Sequence, residues 1–120
     1  MGYDLHTTRA TDWTQNRGHE IDSSEWLALV RDDPELTPDP SYGPHAVRWT
    51  SAWFDWYEGN VFTTDPTRAT VTKMLQIAET LSGVVQGDDG EFYESARQWP
   101  PQGQAQEQAG LAERSPPKDP

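Results

Sequence analysis

Val47-Arg48-Trp49-Thr50-Ser51-Ala52-Trp53-Phe54-Asp55-Trp56-Tyr57-Glu58-Gly59-Asn60-Val61-Phe62-Thr63 is the stretch on which the fold turns. β-Branched and aromatic residues at 47–49 and 53–57 predict two strands, and Gly59-Asn60 predicts a two-residue hairpin turn into a third strand at 61–63. The centre of the protein is therefore expected to be a β-meander. Successive strand residues point to opposite faces, so Trp49, Trp53, Phe54, Trp56 and Tyr57 cannot all enter one core. Some of these aromatics must face outward.

On the C-terminal side, Asp65-Pro66 reads as an N-cap followed by proline at the first helical position. Val71, Met74, Leu75, Ala78 and Leu81 then recur at helical spacing until Gly83. Val84-Val85-Gln86 and Glu91-Phe92-Tyr93 flank Gly87-Asp88-Asp89-Gly90, which predicts a strand, a tight turn and a short return strand. On the N-terminal side, residues 3–7 alternate large and polar side chains as a first strand, and the polar residues 9–20 read as a loop. At Ile21-Asp22-Ser23-Ser24-Glu25-Trp26, Asp22 and Glu25 hold capping-box positions, with Ile21 and Trp26 as a hydrophobic staple. The helix starting there is expected to run about ten residues, bury Trp26, Leu27 and Val30, and stop before Pro34. Pro34, Pro38, Pro40 and Pro44 then make residues 33–44 a surface loop. The order β-α-β-β-β-α-β-β predicts an α+β fold, a mainly antiparallel sheet with two helices packed on one face.

The chain has 120 residues, enough for one domain. Only 33% of them are hydrophobic and the mean hydropathy is −0.89, but 6 Trp, 4 Tyr and 3 Phe supply the large apolar surfaces a compact core needs. Past residue 98 the composition shifts to Pro, Gln, Gly and Ala, and Leu111 is the one large aliphatic side chain there. The expected organisation is a compact domain over 1–98 and a disordered Pro/Gln-rich tail over 99–120. Nine basic residues against 20 acidic give a net charge of −11. The tail is nearly balanced, so the acidity belongs to the folded part.

That charge would repel a phosphate backbone, which argues against nucleic-acid binding. The absence of cysteine excludes disulfides, thiolate zinc sites, iron–sulfur clusters and a cysteine nucleophile, and fits a reducing compartment. No window is apolar enough for a membrane span and the first residues carry no secretory pattern, so a cytoplasmic address is expected.

His6, His19 and His45 show none of the short spacings of zinc sites, and each is expected to be solvated or satisfied by one hydrogen bond. Asp88-Asp89-Gly90-Glu91 lacks the alternating acids and distant glutamate of a calcium loop and reads as a turn. Asp55 with Glu58, or Asp32 with Asp33, could form an acid–base pair, but among 20 acidic residues a solvated face explains such adjacency better. Serine-nucleophile motifs, glycine-rich phosphate loops and dinucleotide fingerprints are absent. No catalytic, cofactor-binding or metal-binding residue is assigned, and no cofactor is expected. What the composition does offer is aromatic anchors set among carboxylates, the make-up of an acidic protein-binding surface; a second core face covered by helices or long loops accounts for the same aromatics equally well, since interfaces and cores share aromatic composition. Trp53, Asp55, Trp56, Glu58, Asp88 and Asp89 are the expected partner-binding residues, with Trp56 as an outward anchor.

Tyr3-Asp4-Leu5-His6 with Thr8-Arg9-Ala10, Glu25-Trp26, Asp33-Pro34-Glu35-Leu36, Trp53-Phe54-Asp55-Trp56 and Val85-Gln86-Gly87-Asp88-Asp89-Gly90-Glu91 together resemble a family of small bacterial proteins over residues 3–94. Small, acidic, cysteine-free α+β chains of this kind are similar as a class to the immunity proteins of bacterial toxin systems. The resemblance implies a cytoplasmic immunity protein that binds a basic toxin domain and occludes it through an acidic, aromatic-rich surface. A non-catalytic adaptor or regulatory protein-binding module is the alternative, and a small hydrolase or transferase a third reading.

Overall fold

Alternation along the strands sorts the core. In the computed structural model, which describes residues 2–50 and 52–100, the strands β1 (Asp4–Thr8), β2 (Thr37–Pro38), β3 (Val47–Trp49), β4 (Ala52–Tyr57), β5 (Asn60–Thr64), β6 (Val84–Gly87) and β7 (Phe92–Tyr93) form one sheet. Its order is β2-β3-β4-β5-β1-β6-β7 and every pairing is antiparallel. Leu5 pairs with Thr63 and Gly87, Thr7 with Val61 and Val85, Trp56 with Val61, Val47 with Phe54, and Val85 with Tyr93. Directly paired residues share a face, so Leu5, Val47, Phe54, Val61, Val85 and Tyr93 line one side of the sheet. That side is covered by α1 (Ser23–Asp32) and α2 (Arg68–Thr80), which bring Trp26, Leu29, Val30, Val71, Met74, Ile77 and Ala78 into the same cluster. The protein is an α+β fold with both helices on one face of the sheet.

Each helix starts close to where its capping residues lead. Asp22 is the N-cap of α1, and Glu25 reaches back so that its Oε2 accepts the Asp22 amide at 3.4 Å, the half of a capping box that satisfies the N-cap donor. The helix buries Trp26, Leu29 and Val30 rather than Leu27, which is 39% exposed. The i, i+3, i+4 stripe from Trp26 passes through Leu29 and leaves Leu27 on the solvent side. Trp26 is fully buried and its indole Nε1 donates to the His45 carbonyl at 2.8 Å, so the proline-rich loop is fastened to the core. At α2 the N-cap is Thr67, whose hydroxyl accepts the Thr70 amide, and not Asp65. Asp65 sits at φ 50 and exchanges backbone and side-chain hydrogen bonds with Tyr3 instead, tying the end of β5 to the chain just before β1.

Other expectations shift by a residue or two. The β4–β5 turn is Glu58-Gly59, with φ of 49 and 88, and Asn60 already pairs with Tyr57. Positive φ at both central residues is the geometry whose twist suits a two-residue hairpin, and Gly59 takes it without penalty. Within the expected loop at 33–44, residues 37 and 38 form one of the two edge strands, where Pro38 needs no outward donor. Gly83 passes so near β1 that a Cβ there would lie 2.8 Å from the Thr8 carbonyl, which lets α2 turn directly into β6.

Past β7, a short 3₁₀ helix at Ala96–Gln98 leads to Trp99, which is buried against Tyr3 and Tyr93 and whose carbonyl accepts from Arg68 Nε at 2.6 Å. Trp99 thus joins the core, one residue beyond the boundary expected at 98. The rest of the expected tail, from 101 onward, lies outside the described residues. Among the described residues no helix is long and apolar enough to cross a membrane.

Candidate functional site

The face of the sheet opposite the helices carries Asp4, His6, Arg48, Trp53, Asp55, Tyr57, Asn60, Phe62, Gln86 and Phe92, as the pairings His6 with Phe62 and Gln86, Asp55 with Phe62, Tyr57 with Asn60, Arg48 with Trp53 and Gln86 with Phe92 require. The loop between β1 and α1 folds back over one end of this face. Two buried amide side chains hold it there. Gln86 accepts the Trp13 amide on Oε1 at 2.7 Å and donates through Nε2 to the Thr11 and Gly90 carbonyls at 2.9 and 3.1 Å. Asn60 donates to the Trp13 carbonyl at 2.9 Å and accepts from Asn16 Nδ2 at 3.1 Å. Both backbone groups of Trp13 are therefore taken by side chains of β5 and β6, as buried polar groups require.

The indole of Trp13 stacks on His6, and the imidazole is fixed further by donating from Nε2 to Asp88 Oδ1 at 2.9 Å. Asp88 Oδ2 accepts the Asp4 amide at 2.9 Å. Between Trp13 and the β4–β5 hairpin lies a cleft of about 380 Å³, lined by Trp13, Tyr57 and Phe62 with Asp4, His6 and Glu58 among others. A second hollow of about 230 Å³ is bounded by Tyr42, Ala46, Trp53 and Asp55. Trp53 meets Phe62 edge-on at 5.5 Å, so an aromatic ridge separates the two. Tyr42 and Tyr57 are largely exposed, at 77% and 64%.

Carboxylates dominate the electrostatics of this face. Arg48 is its basic sheet residue, and it already pairs with Asp39 at 3.2 Å. Asp55 Oδ1 accepts the Trp56 amide at 2.8 Å. The side-chain carboxylates of Asp4 and Glu58 have no hydrogen bond or ion pair from another group among the described residues.

Of the residues expected to bind a partner, Trp53, Asp55 and Glu58 come together on this face, and Asp88 stands at its far end holding His6. Asp89 is exposed in the β6–β7 turn beside Asp88. Trp56 is corrected: it points to the helix-covered side, its Nε1 donating to the Ile21 carbonyl at 2.7 Å and its ring 4.9 Å from His45. One-residue alternation separates it from Trp53. The adjacent acids Asp32 and Asp33 also divide: Asp33, with Glu35, holds the buried ammonium of Lys73 at 2.7 Å. His6, Trp13, Asn60, Phe62 and Gln86 went unrecognised in the sequence. A lone tryptophan within Thr11-Asp12-Trp13-Thr14-Gln15-Asn16 was the available signal, since so large an apolar group in a polar loop needs a wall to lie on.

Asp4, His6 and Asp88 offer ligand atoms within 4.8 Å of one another, the group of described residues that could hold a metal ion. Within this group the two oxygens of Asp88 accept from His6 and from the Asp4 amide. Close by, on the helix-covered side of the same β6–β7 turn, Glu91 Oε2 accepts from the hydroxyls of both Tyr3 and Tyr93. Burial, and then the neighbouring carboxylate, push both phenols well above their ordinary range. They stay protonated and act as donors. No family model, no curated protein and no solved structure matches the chain.

Proposed function

We propose that this chain is a protein-binding inhibitor of the immunity type, which docks a basic partner on the open sheet face and so occludes it in the bacterial cytoplasm. The observation that carries the reading is the make-up of that face: Trp53, Tyr57 and Phe62 beside Asp4, Asp55 and Glu58, with the nearby Arg48 already neutralised by Asp39. Aromatic anchors supply the short-range energy of a complex, and a one-signed rim supplies steering and orientation. A toxin that handles phosphates must present Lys and Arg at its active site, and an acidic surface can take the phosphates' place.

The helix-covered side gives partner docking less support, because its aromatics are consumed by the core. The test is co-expression and co-purification with the products of neighbouring genes, followed by survival assays. The expected result is a retained basic protein whose toxicity is suppressed, and which the Trp53→Ala/Tyr57→Ala double variant releases. Retention of a partner whose activity continues unchanged would favour an adaptor, and a catalysed reaction by the isolated chain would overturn the reading.

A further inference from the structure

The cleft beside Trp13 has its own chemistry, and from it we infer that it is a receptor for a guanidinium group, filled by an arginine side chain of the partner. The inference rests on the binding reading above and specifies what the partner must present. Three properties of the cleft converge on it.

The first is the composition of the walls. Trp13, Tyr57 and Phe62 bring aromatic rings to one hollow of about 380 Å³. Ring faces attract cations, and a planar guanidinium, weakly hydrated, stacks on them better than an ammonium does. The second is unspent charge. Asp4 and Glu58 line the same cleft, and neither carboxylate makes an ion pair among the described residues, although Arg17 borders an adjoining hollow with Glu58. Arg48 and Lys73 hold other acids, Asp39 in one case and Asp33 with Glu35 in the other. Carboxylates beside aromatic rings complement the N–H donors around the edge of a guanidinium, which a neutral or anionic ligand would leave unmatched.

The third is preorganisation. The Trp13 wall is fixed before any ligand arrives, by Gln86 at its amide, Asn60 at its carbonyl and His6 under its ring. A wall already in place costs little further ordering on binding. The hydrogen bond from Asn16 Nδ2 to the Glu58 carbonyl ties the loop to the hairpin across the cleft, so both sides are held in register.

The experiment is a titration of the full chain, followed by NMR at the Trp13 indole and the Asn16 and Asn60 side-chain amides. The probes are N-acetyl-arginine methylamide, its neutral isostere N-acetyl-citrulline methylamide, and agmatine as a free small cation. The arginine probe should give saturable shifts at these groups, with the citrulline probe at least about tenfold weaker. Glu58→Gln and Tyr57→Ala, both at exposed positions, should weaken the arginine probe while leaving the rest of the spectrum in place. Equal binding of citrulline, or arginine shifts that miss Trp13, would overturn the inference. Agmatine binding much more tightly than blocked arginine would overturn a protein-borne side chain as occupant. Should a basic partner bind wild type and Tyr57→Ala/Glu58→Gln alike, the cleft assignment fails while partner binding stands. Should arginine seat in the cleft although no basic protein is retained, partner binding fails and the cleft stands.

Discussion

The indole of Trp13 lies flat on the imidazole of His6, with ring centroids 3.5 Å apart and planes 8° from parallel. This stack joins the β1–α1 loop to the middle of the sheet, on the side the helices leave open. A segment whose composition reads only as a polar connection becomes one wall of the cleft. His6, itself 5% exposed, is gripped on its other side by Asp88. The stack, the two amide clamps and the β6–β7 turn therefore form one connected support for the binding face.

Gln86→Leu tests that support. It removes the partner of the Trp13 amide and one donor to both the Thr11 and Gly90 carbonyls, while keeping the volume of a fully buried side chain. Leaving such groups unpaired should cost about 2–4 kcal/mol. Urea melts would give that loss, and faster hydrogen exchange at the Trp13 amide would locate it. An unchanged midpoint would show that the loop is not anchored through this residue.

Lys73 carries the clearest pH dependence. Hydrogen bonding to Lys73 holds the Glu35 carboxyl below its ordinary value of 4.5. Burial alone would raise Asp33, but the bonds from Lys73 and the Glu35 amide outweigh it and leave it below 3.8. Groups with depressed folded-state values stabilise fully above their ordinary values and lose that contribution as pH falls through the folded ones. For Lys73 itself burial works downward, but the bonds to Asp33 and Glu35 leave it above 10.5, so its contribution is complete below that value and fades as pH rises through the raised one. Stability should thus be level from about pH 5 to 10 as far as this cluster is concerned. Lys73→Met should lower it at pH 7 by about 1–3 kcal/mol through the lost Asp33 pair. The same variant should flatten the acid limb of the stability–pH curve, which chemical denaturation at pH 3, 5 and 7 would measure.

The helical stripes make a packing prediction. Leu29→Ala should cost about 2–5 kcal/mol and Leu27→Ala less than about 0.5 kcal/mol, since only the first empties core volume. Leu75, half-buried at the edge of the core, should fall between them. Thermal or urea melts of the three variants would check the order, and a reversed order of the first two would contradict the burial of α1.

Much of the fold was legible because it is written locally. Asp22 with Glu25 marks the start of α1, and the Val71, Met74 and Ala78 spacing marks the buried stripe of α2. The β6–β7 turn shows in Gly87-Asp88-Asp89-Gly90. Placing the β4–β5 turn at Gly59-Asn60 rather than Glu58-Gly59 slides the strand partners by two residues and leaves each side chain on its face. Which face is the core was another matter, because Phe54 and Trp56 on one side are matched by Trp53 and Tyr57 on the other. Asp55, sharing the side of Trp53 and Tyr57, is the residue that could have decided it. Of the cleft, only the lone Trp13 in a polar loop gave a local signal, for its wall depends on Trp13 meeting Gln86 and Asn60, 73 and 47 positions away. Nothing in local pattern links such residues.

The proposed binding mode separates rates. Carboxylates on an exposed face act at long range, so association with a basic partner should slow as ionic strength rises and the Debye length shrinks. Asp55→Asn/Glu58→Gln should fold normally, because neither side chain enters the core, and should associate about tenfold more slowly at low salt with little change at high salt. The aromatics act only on contact. Trp53→Ala should leave association near its original rate and speed dissociation by about tenfold or more, as expected for an anchor. Trp56→Ala should differ from it in kind, losing stability through the missing Ile21 bond and core packing, while any folded fraction keeps its association rate. Surface plasmon resonance at several salt concentrations would give both rates. Association independent of salt would remove the electrostatic half of the mechanism, and an unchanged dissociation rate in Trp53→Ala would remove the aromatic half.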